Sequence, residues 1–228
     1  MKNFINFLLS LIYKEKCCIC GIDLNCSKTE KTLCKNCLKT VEILSGFAQC
    51  KINGVEIYSA TIYDGTVRTL IHKLKFQHNK DIAKVLAEIL SEFYRKILAF
   101  KLKNNNHVNW PQSLAVVPIP TNKKNVQTRG YNNVYEIAKE FAEINNLVLK
   151  NDILIKIKDT KPQFKLSKDQ RRSNVSGCFK VNLKKYNNET ILLLDDIITT
   201  GATLNEAISA FQANGIKNII CITVSKAV

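Results

Sequence analysis

The chain has 228 residues, of which 46% are hydrophobic, and its 34 Lys and Arg residues against 19 Asp and Glu give a net charge of +15. Apolar residues occur along the whole length, which excludes a fully disordered chain, and no apolar run approaches the roughly 20 residues of a membrane-spanning helix. A chain of this length suggests one domain, or one domain with a small appendage.

The first apolar stretch of the chain runs from Phe4 to Tyr13. It is too short to span a membrane, and no small-residue cleavage site follows it. We therefore expect no membrane span and no secretion, which indicates a cytoplasmic protein. The pattern favours a short amphipathic helix, and a membrane-surface anchor is the alternative.

Seven of the nine cysteines precede residue 51. In a chain without a secretory signal, such clustering favours metal binding over a disulfide framework. Cys17-x-x-Cys20 and Cys34-x-x-Cys37 are separated by 13 residues, a spacing that lets two turns converge on one tetrahedral ion. We predict a structural Zn²⁺ site, because four thiolates leave no open coordination position.

A metal-stapled unit of this size has no room for a core of its own, so we expect a module over residues 1–54 and a main domain over 55–228. Cys18 and Cys26 are possible substitutes for one ligand, and the role of Cys50 stays open. We interpret the remaining Cys and His residues as non-ligands, namely Cys178, Cys221, His72, His78 and His107.

Beyond the cysteines, short β-rich runs alternate with amphipathic stretches. Apolar spacing predicts strands near residues 57–62, 114–119, 191–194 and 219–224, and helices near 82–97, 134–141 and 204–211. This alternation predicts an α/β fold with a parallel sheet wrapped by helices and ligands at the carboxyl ends of the strands. Residues 158–180 are polar and basic with little periodicity, which indicates a functional loop.

The positive charge is concentrated in three segments. Residues 65–80 carry four basic and no acidic side chains, residues 96–130 carry six and none, and residues 151–190 carry ten and four. This distribution suits a polyanionic partner, either a phosphorylated small molecule or nucleic acid, and solubility alone is the other interpretation.

The most specific segment is ILLLDDIITTGAT, residues 191–203. A buried strand delivers Asp195 and Asp196 to the sheet edge, and the chain then turns into a helix. The N–H groups at that helix start and the Thr hydroxyls suit a phosphate, and Gly201 allows close approach of the backbone.

Two carboxylates beside a phosphate are favourable only if they accept hydrogen bonds from sugar hydroxyls while a divalent ion on the ligand offsets charge. A ribose 5-phosphate group meets that requirement. The chain lacks G-x-G-x-x-G and G-x-x-x-x-G-K-[ST], which weakens a dinucleotide or P-loop interpretation. The alternative is a capped helix after a strand with two solvent-facing Asp residues.

This segment resembles the phosphoribosyl pyrophosphate (PRPP) signature of type I phosphoribosyltransferases. The resemblance implies that the two Asp residues hold the ribose hydroxyls and that the following loop holds the 5-phosphate. The residues concerned are Asp195, Asp196, Thr199, Thr200, Gly201, Ala202 and Thr203.

The wider pattern resembles the ComF/ComFC family, which is associated with natural transformation. The matching pieces are the Cys-rich N-terminus, Tyr63-Asp64-Gly65, Leu74-Lys75-Phe76, VVPIP, Arg129-Gly130-Tyr131-Asn132, Arg172-x-Asn174-Val175 and the signature. The resemblance covers nearly the whole chain. It implies a type I phosphoribosyltransferase fold with an N-terminal zinc module, Mg²⁺-PRPP as ligand, Thr121 at the start of a pyrophosphate loop, and a mobile hood over residues 158–178.

The loop after Pro120 carries Lys123, Lys124 and Arg129 where a parallel sheet places a ligand. These charges suit stabilisation of a leaving pyrophosphate, and a solvated basic loop is the alternative. We therefore expect Asp195, Asp196 and Arg129 to be the catalytic residues. The hood contributes further polar side chains, namely Lys161, Gln163, Lys165, Lys168, Arg171 and Arg172.

Two functions follow as hypotheses. The first is a PRPP-dependent transferase that acts in DNA uptake, with Mg²⁺ held mostly by the ligand's own oxygens. The second is a non-catalytic protein of the competence machinery that binds single-stranded DNA, with stacking on Phe76, Phe164 or Phe179, or that serves as a scaffold for a partner such as an uptake helicase. The residues identify no acceptor substrate.

Overall fold

The computed structural model describes residues 15–24, 32–77, 79–103, 111, 113–159 and 175–227. In chain order the elements are α1 (Lys35–Lys39), β1 (Cys50–Ile52), β2 (Val55–Ile62), α2 (Gly65–Phe76), α3 (Asp81–Lys103), β3 (Leu114–Pro118), α4 (Lys123–Arg129), α5 (Asn133–Ile144), β4 (Val148–Leu149), β5 (Leu154–Lys156), β6 (Phe179–Val181), β7 (Thr190–Ile198), α6 (Ala202–Ala213) and β8 (Ile219–Lys226).

A six-stranded sheet in the order β1-β2-β8-β7-β3-β4 forms the centre of the molecule. The β1 strand is antiparallel to β2, and every other neighbouring pair is parallel. Strands β5 and β6 form a separate antiparallel pair. The predicted α/β fold with a parallel sheet is therefore confirmed.

The central strand β7 divides its aliphatic residues between two cores. Leu192 and Leu194 pack with α2, α3 and α5 on one face, whereas Ile191 and Leu193 pack with α6 and the β5-β6 pair on the other. All four side chains are at most 1% exposed. The pure aliphatic run Ile191–Leu194 thus forms a strand buried on both faces, as its composition predicts.

Three helices, α1, α2 and α4, lie where the sequence pattern indicated none. Helix α2 occupies the acid-free segment after Asp64, and α4 occupies the segment interpreted as a basic loop, so that interpretation was wrong. Helix α4 ends at its C-cap residue Gly130, which adopts a left-handed conformation with φ of 76° and donates its N–H to the Val126 carbonyl. A seven-residue helix is too short for apolar periodicity to reveal.

The cysteine-rich segment packs against the same core as α2 and α3. Cys17, Leu24 and Leu33 are buried in it. A Cβ on Gly46 would lie 2.4 Å from the Lys96 carbonyl, so this glycine lets the chain lie directly against α3. The boundary expected between residues 54 and 55 stays a prediction.

Across the described residues, no helix combines the length and the apolar character that a bilayer crossing requires. The segment from Phe4 to Tyr13 lies outside the described residues.

Candidate functional site

Asp195 and Asp196 lie at the carboxyl end of β7, between β8 and β3. Asp195 is opposite Thr223 of β8, and Leu194 is opposite Pro118 of β3. Both carboxylates belong to largely buried residues, 9% and 6% exposed. Burial of two adjacent carboxylates is unfavourable unless cations or hydrogen-bond donors compensate them, so their surroundings determine what this edge can bind.

Asp196 is compensated by side chains from three helices. Lys75 of α2 places Nζ 2.8 Å from Asp196 Oδ2, and Asn133 of α5 donates its side-chain N–H to the same oxygen. Asn133 in turn accepts a hydrogen bond from Arg129, the last residue of α4, at 3.1 Å. Lys75, Asn133, Arg129 and Asp196 thus form a connected polar group, called here the Asp196 cluster.

Asp195 has a different environment. Burial, together with the neighbouring Asp196 carboxylate, raises the pKa of Asp195 to about 7. The Asp196 backbone N–H donates to Asp195 Oδ1 at 2.8 Å, and the charges of Lys75 and Lys156 oppose the rise. The two carboxylates therefore differ: Asp196 forms an ion pair with Lys75, whereas burial raises the pKa of Asp195.

The loop that follows β7 has the features of an anion site. Gly201 adopts φ of +73°, and α6 begins at Ala202. Thr200 Oγ1 accepts a hydrogen bond from the Ala202 N–H at 3.4 Å. A Cβ on Gly201 would lie 2.8 Å from the terminal Cδ1 of Ile52 in β1, a flexible side-chain end, so it is the left-handed conformation that favours glycine here. The positive end of the α6 dipole points to this loop.

A cavity of about 560 Å³ borders this loop. Its walls come from the β1-β2 turn, the residues before β6 and the start of α6. They include Lys51, Asn53, Ser176, Thr200, Gly201 and Asn205.

Thr121 follows β3 at the same sheet edge, since β3 ends opposite Leu194 of β7. The structure therefore brings Thr121, the Asp pair and the Thr199–Thr203 loop to one edge. Lys123 and Lys124 lie in α4, and their side chains are outside the described set. Residues 160–174 of the expected hood, which include Phe164, lie outside the described residues. Cys26, His78 and His107 also lie outside them.

Sequence reasoning missed Lys75 and Asn133 as site residues. Lys75 lies in the acid-free segment 65–80 and in the Leu74-Lys75-Phe76 motif, so its charge was a usable signal. Asn133 offered no comparable signal, because its role depends on folding α5 against β7.

Of the aromatic residues considered for stacking, Phe76 and Phe179 are described. Phe76 is 56% exposed, whereas Phe179 is 6% exposed and packs in the core. The Arg129 guanidinium lies 5.3 Å from the centre of the Phe76 ring, and the His72 ring lies 4.7 Å away on the same helix. Phe76 therefore remains available for stacking and Phe179 does not.

The four predicted metal ligands converge. The Sγ atoms of Cys17, Cys20, Cys34 and Cys37 all lie within 4.8 Å of one another. Tetrahedral coordination with Zn–S bonds of about 2.3 Å requires S–S separations of about 3.8 Å, and Cys20 Sγ lies 3.7 Å from Cys34 Sγ. The group can therefore hold one metal ion.

Backbone geometry supports this cluster. Cys17 and Cys20 flank a tight turn in which the Gly21 N–H donates to the Cys17 carbonyl at 2.9 Å. The N–H groups of Cys34 and Cys37 donate to the sulfurs of Cys17 and Cys34, each at 3.4 Å, which favours thiolates. Outside the cluster, Cys178 and Cys221 are buried and Cys50 is exposed.

Comparison with known families agrees with this geometry. Residues 75–227, well over half of the chain, match the model of the phosphoribosyl transferase domain. The chain therefore belongs to the phosphoribosyltransferase family.

Curated relatives extend over almost the whole chain. Competence protein F of Haemophilus influenzae is 26% identical over 96% of each chain, and competence protein ComFC of Streptococcus pneumoniae is 26% identical over 96% of this chain and 93% of its own. DNA utilization protein YhgH of Escherichia coli O157:H7 is 22% identical over 86% and 85%. With the domain match, these relatives define a competence-related, phosphoribosyltransferase-like protein of the ComF/ComFC group.

The first prediction concerns the pH dependence of folding. The folded protein keeps the Asp195 proton to about pH 7, whereas the ordinary pKa is 3.8. Between these values the folded state binds more protons at Asp195, so the contribution of Asp195 to the unfolding free energy should fall as pH rises, by up to about 1.4 kcal/mol per unit. Asp195→Asn should remove this slope in urea titrations from pH 4 to 7. An unchanged slope would contradict the assignment.

The second prediction concerns the metal. The double variant Cys34→Ser/Cys37→Ser should lose bound metal in elemental analysis, and its melting temperature should fall by about 5 °C or more because metal binding contributes to folding. Cys50→Ser is the control, since it removes an exposed thiol outside the cluster. Metal content equal to that of the wild type would refute the site.

Proposed function

We propose that the protein binds Mg²⁺-PRPP at the carboxyl edge of β7 and transfers its phosphoribosyl group. The observation that carries this proposal is the juxtaposition of two adjacent buried carboxylates with the Thr199–Thr203 loop at the start of α6. A divalent cation alone would need only the two carboxylates, and a simple phosphate would need only the loop. A phosphorylated ribose uses both.

Each part of the edge has a role in this proposal. Asp195 and Asp196 accept hydrogen bonds from the ribose hydroxyls, and the loop Thr199-Thr200-Gly201-Ala202-Thr203 binds the 5-phosphate through backbone N–H groups and hydroxyls. The helix dipole of α6 adds favourable potential for the phosphate.

Thr121 and Arg129 would contact the pyrophosphate group. In the transfer, the bond between ribose C1 and the diphosphate oxygen breaks with its electron pair on the leaving pyrophosphate, and an acceptor nucleophile bonds to C1 and gives up a proton. Bound Mg²⁺ would supply neutralisation of the diphosphate charge. Arg129 would stabilise the charge that develops on the leaving oxygens.

The names of the relatives support a role of this chain in DNA uptake. Their names refer to competence and to DNA utilization, and we extend that role to this chain as a cytoplasmic protein. The four-cysteine cluster is proposed to hold structural Zn²⁺ with four thiolates and no position for a substrate.

The third prediction tests PRPP binding. Calorimetric titration of PRPP with Mg²⁺ should give saturable binding to the wild type and at least about tenfold weaker binding to Asp195→Asn/Asp196→Asn, because the ribose hydroxyls lose both carboxyl groups as acceptors. Asp81→Asn, at the exposed start of α3, is the control. The transferase proposal fails if the wild type does not bind PRPP.

A second candidate function is non-catalytic binding of single-stranded DNA. The observation that favours it is the exposed ring of Phe76, which lies beside the Arg129 guanidinium. Phe76 belongs to the segment 65–80, which carries four basic and no acidic side chains. Single-strand binding combines basic surfaces with aromatic side chains on which bases stack.

The fourth prediction separates this function from simple charge attraction. In fluorescence anisotropy with labelled oligothymidine, Phe76→Ala should weaken binding about fivefold or more, since stacking contributes about 1–3 kcal/mol per base. Phe100→Ala removes another exposed ring, 41% exposed, and should have little effect. Wild-type affinity in Phe76→Ala would exclude a stacking role for Phe76.

A further inference from the structure

The Lys75–Asp196 ion pair raises a question about how the site accepts its ligand. Asp196 Oδ2 already has two donors, the Lys75 ammonium at 2.8 Å and the Asn133 amide. A ribose hydroxyl that donates to Asp196 therefore meets an acceptor that is partly occupied. Binding requires either that the ligand uses the remaining lone pairs or that one of the two donors leaves.

The two donors differ in mobility. Asn133 is 2% exposed and is fixed by a second hydrogen bond from Arg129. The Lys75 side chain is 23% exposed, extends from the last turn of α2, and has a flexible four-carbon stem. Lys75 is therefore the donor that can reorient without disturbing the packing of α5 against β7.

The charges of the ligand and of the site also indicate that Lys75 is the donor that moves. A phosphorylated, diphosphate-bearing sugar carries several negative charges, and two buried carboxylates oppose its approach. Lys75 is a cation in direct contact with this pair, through Asp196. An ammonium that leaves the carboxylate for an anionic ligand group exchanges one ion pair for another within the same site, while the ribose hydroxyls replace it as hydrogen-bond donors to Asp196.

We propose that Lys75 is a ligand-binding residue: its ammonium pairs with Asp196 in the ligand-free site and moves to a diphosphate oxygen when the ribose hydroxyls bind Asp196. This inference rests on the proposed function and deepens it, because it assigns a diphosphate contact to α2 and couples that contact to recognition of the sugar. Inorganic pyrophosphate and ribose 5-phosphate carry the two halves of the ligand and can be tested separately.

The test is calorimetric titration of Mg²⁺-pyrophosphate, ribose 5-phosphate and Mg²⁺-PRPP into the wild type, Lys75→Met and Lys75→Arg. Lys75→Met should weaken pyrophosphate and PRPP binding about tenfold or more, because it removes a charged donor. Its affinity for ribose 5-phosphate should stay within about twofold or increase, since the carboxylate no longer has to release the ammonium. Lys75→Arg should restore most of the pyrophosphate affinity.

Lys84→Met is the matched control, because it removes the same charge from an exposed position of α3. Thermal melting of each variant establishes that it is folded. If Lys75→Met does not fold, the test is made with Lys75→Arg. Equal losses for pyrophosphate and ribose 5-phosphate would show that Lys75 only maintains Asp196 and would overturn the inference, as would wild-type affinities in Lys75→Met. Failure of the wild type to bind PRPP would instead overturn the proposed function and the inference with it.

Discussion

The structure depends on how two adjacent carboxylates are kept in a largely buried position at the end of its central strand. Asp195 and Asp196 cannot both be ionised there without compensation. The Asp196 cluster supplies it with an ammonium from α2, an amide from α5 and, through that amide, the guanidinium of α4. Three helices are thereby tied to the edge of β7 where the loop of the phosphate site begins.

The sheet explains why these groups can meet. Parallel strands place the ends of β3 and β7 at one edge, and helices on the two faces bring side chains to it from separate parts of the chain. The antiparallel β1 strand closes the other side of the loop, where Ile52 packs against Gly201 and the Asn53 side chain donates to Ser209 of α6. The segment that follows the four cysteines therefore supports the loop as well as the sheet.

Much of this could be predicted from local sequence. The aliphatic run before Asp195 identifies a strand buried on both faces, and the Thr and Gly residues after Asp196 identify the loop. The two Cys-x-x-Cys pairs identify the metal cluster. The contacts between Lys75, Asn133 and Asp196 could not be predicted, because they join residues distant in the chain. Likewise, Phe76 and Phe179 follow similar basic sequence, and only the packing of β6 distinguishes the buried ring from the exposed one.

The most direct test of the central claim is a crystal structure of the protein with Mg²⁺ and PRPP. The account predicts the ribose hydroxyls on Asp195 and Asp196, the 5-phosphate on residues 199–203, and Lys75 on the diphosphate. A ligand bound elsewhere, or a sugar that makes no contact with either carboxylate, would contradict it.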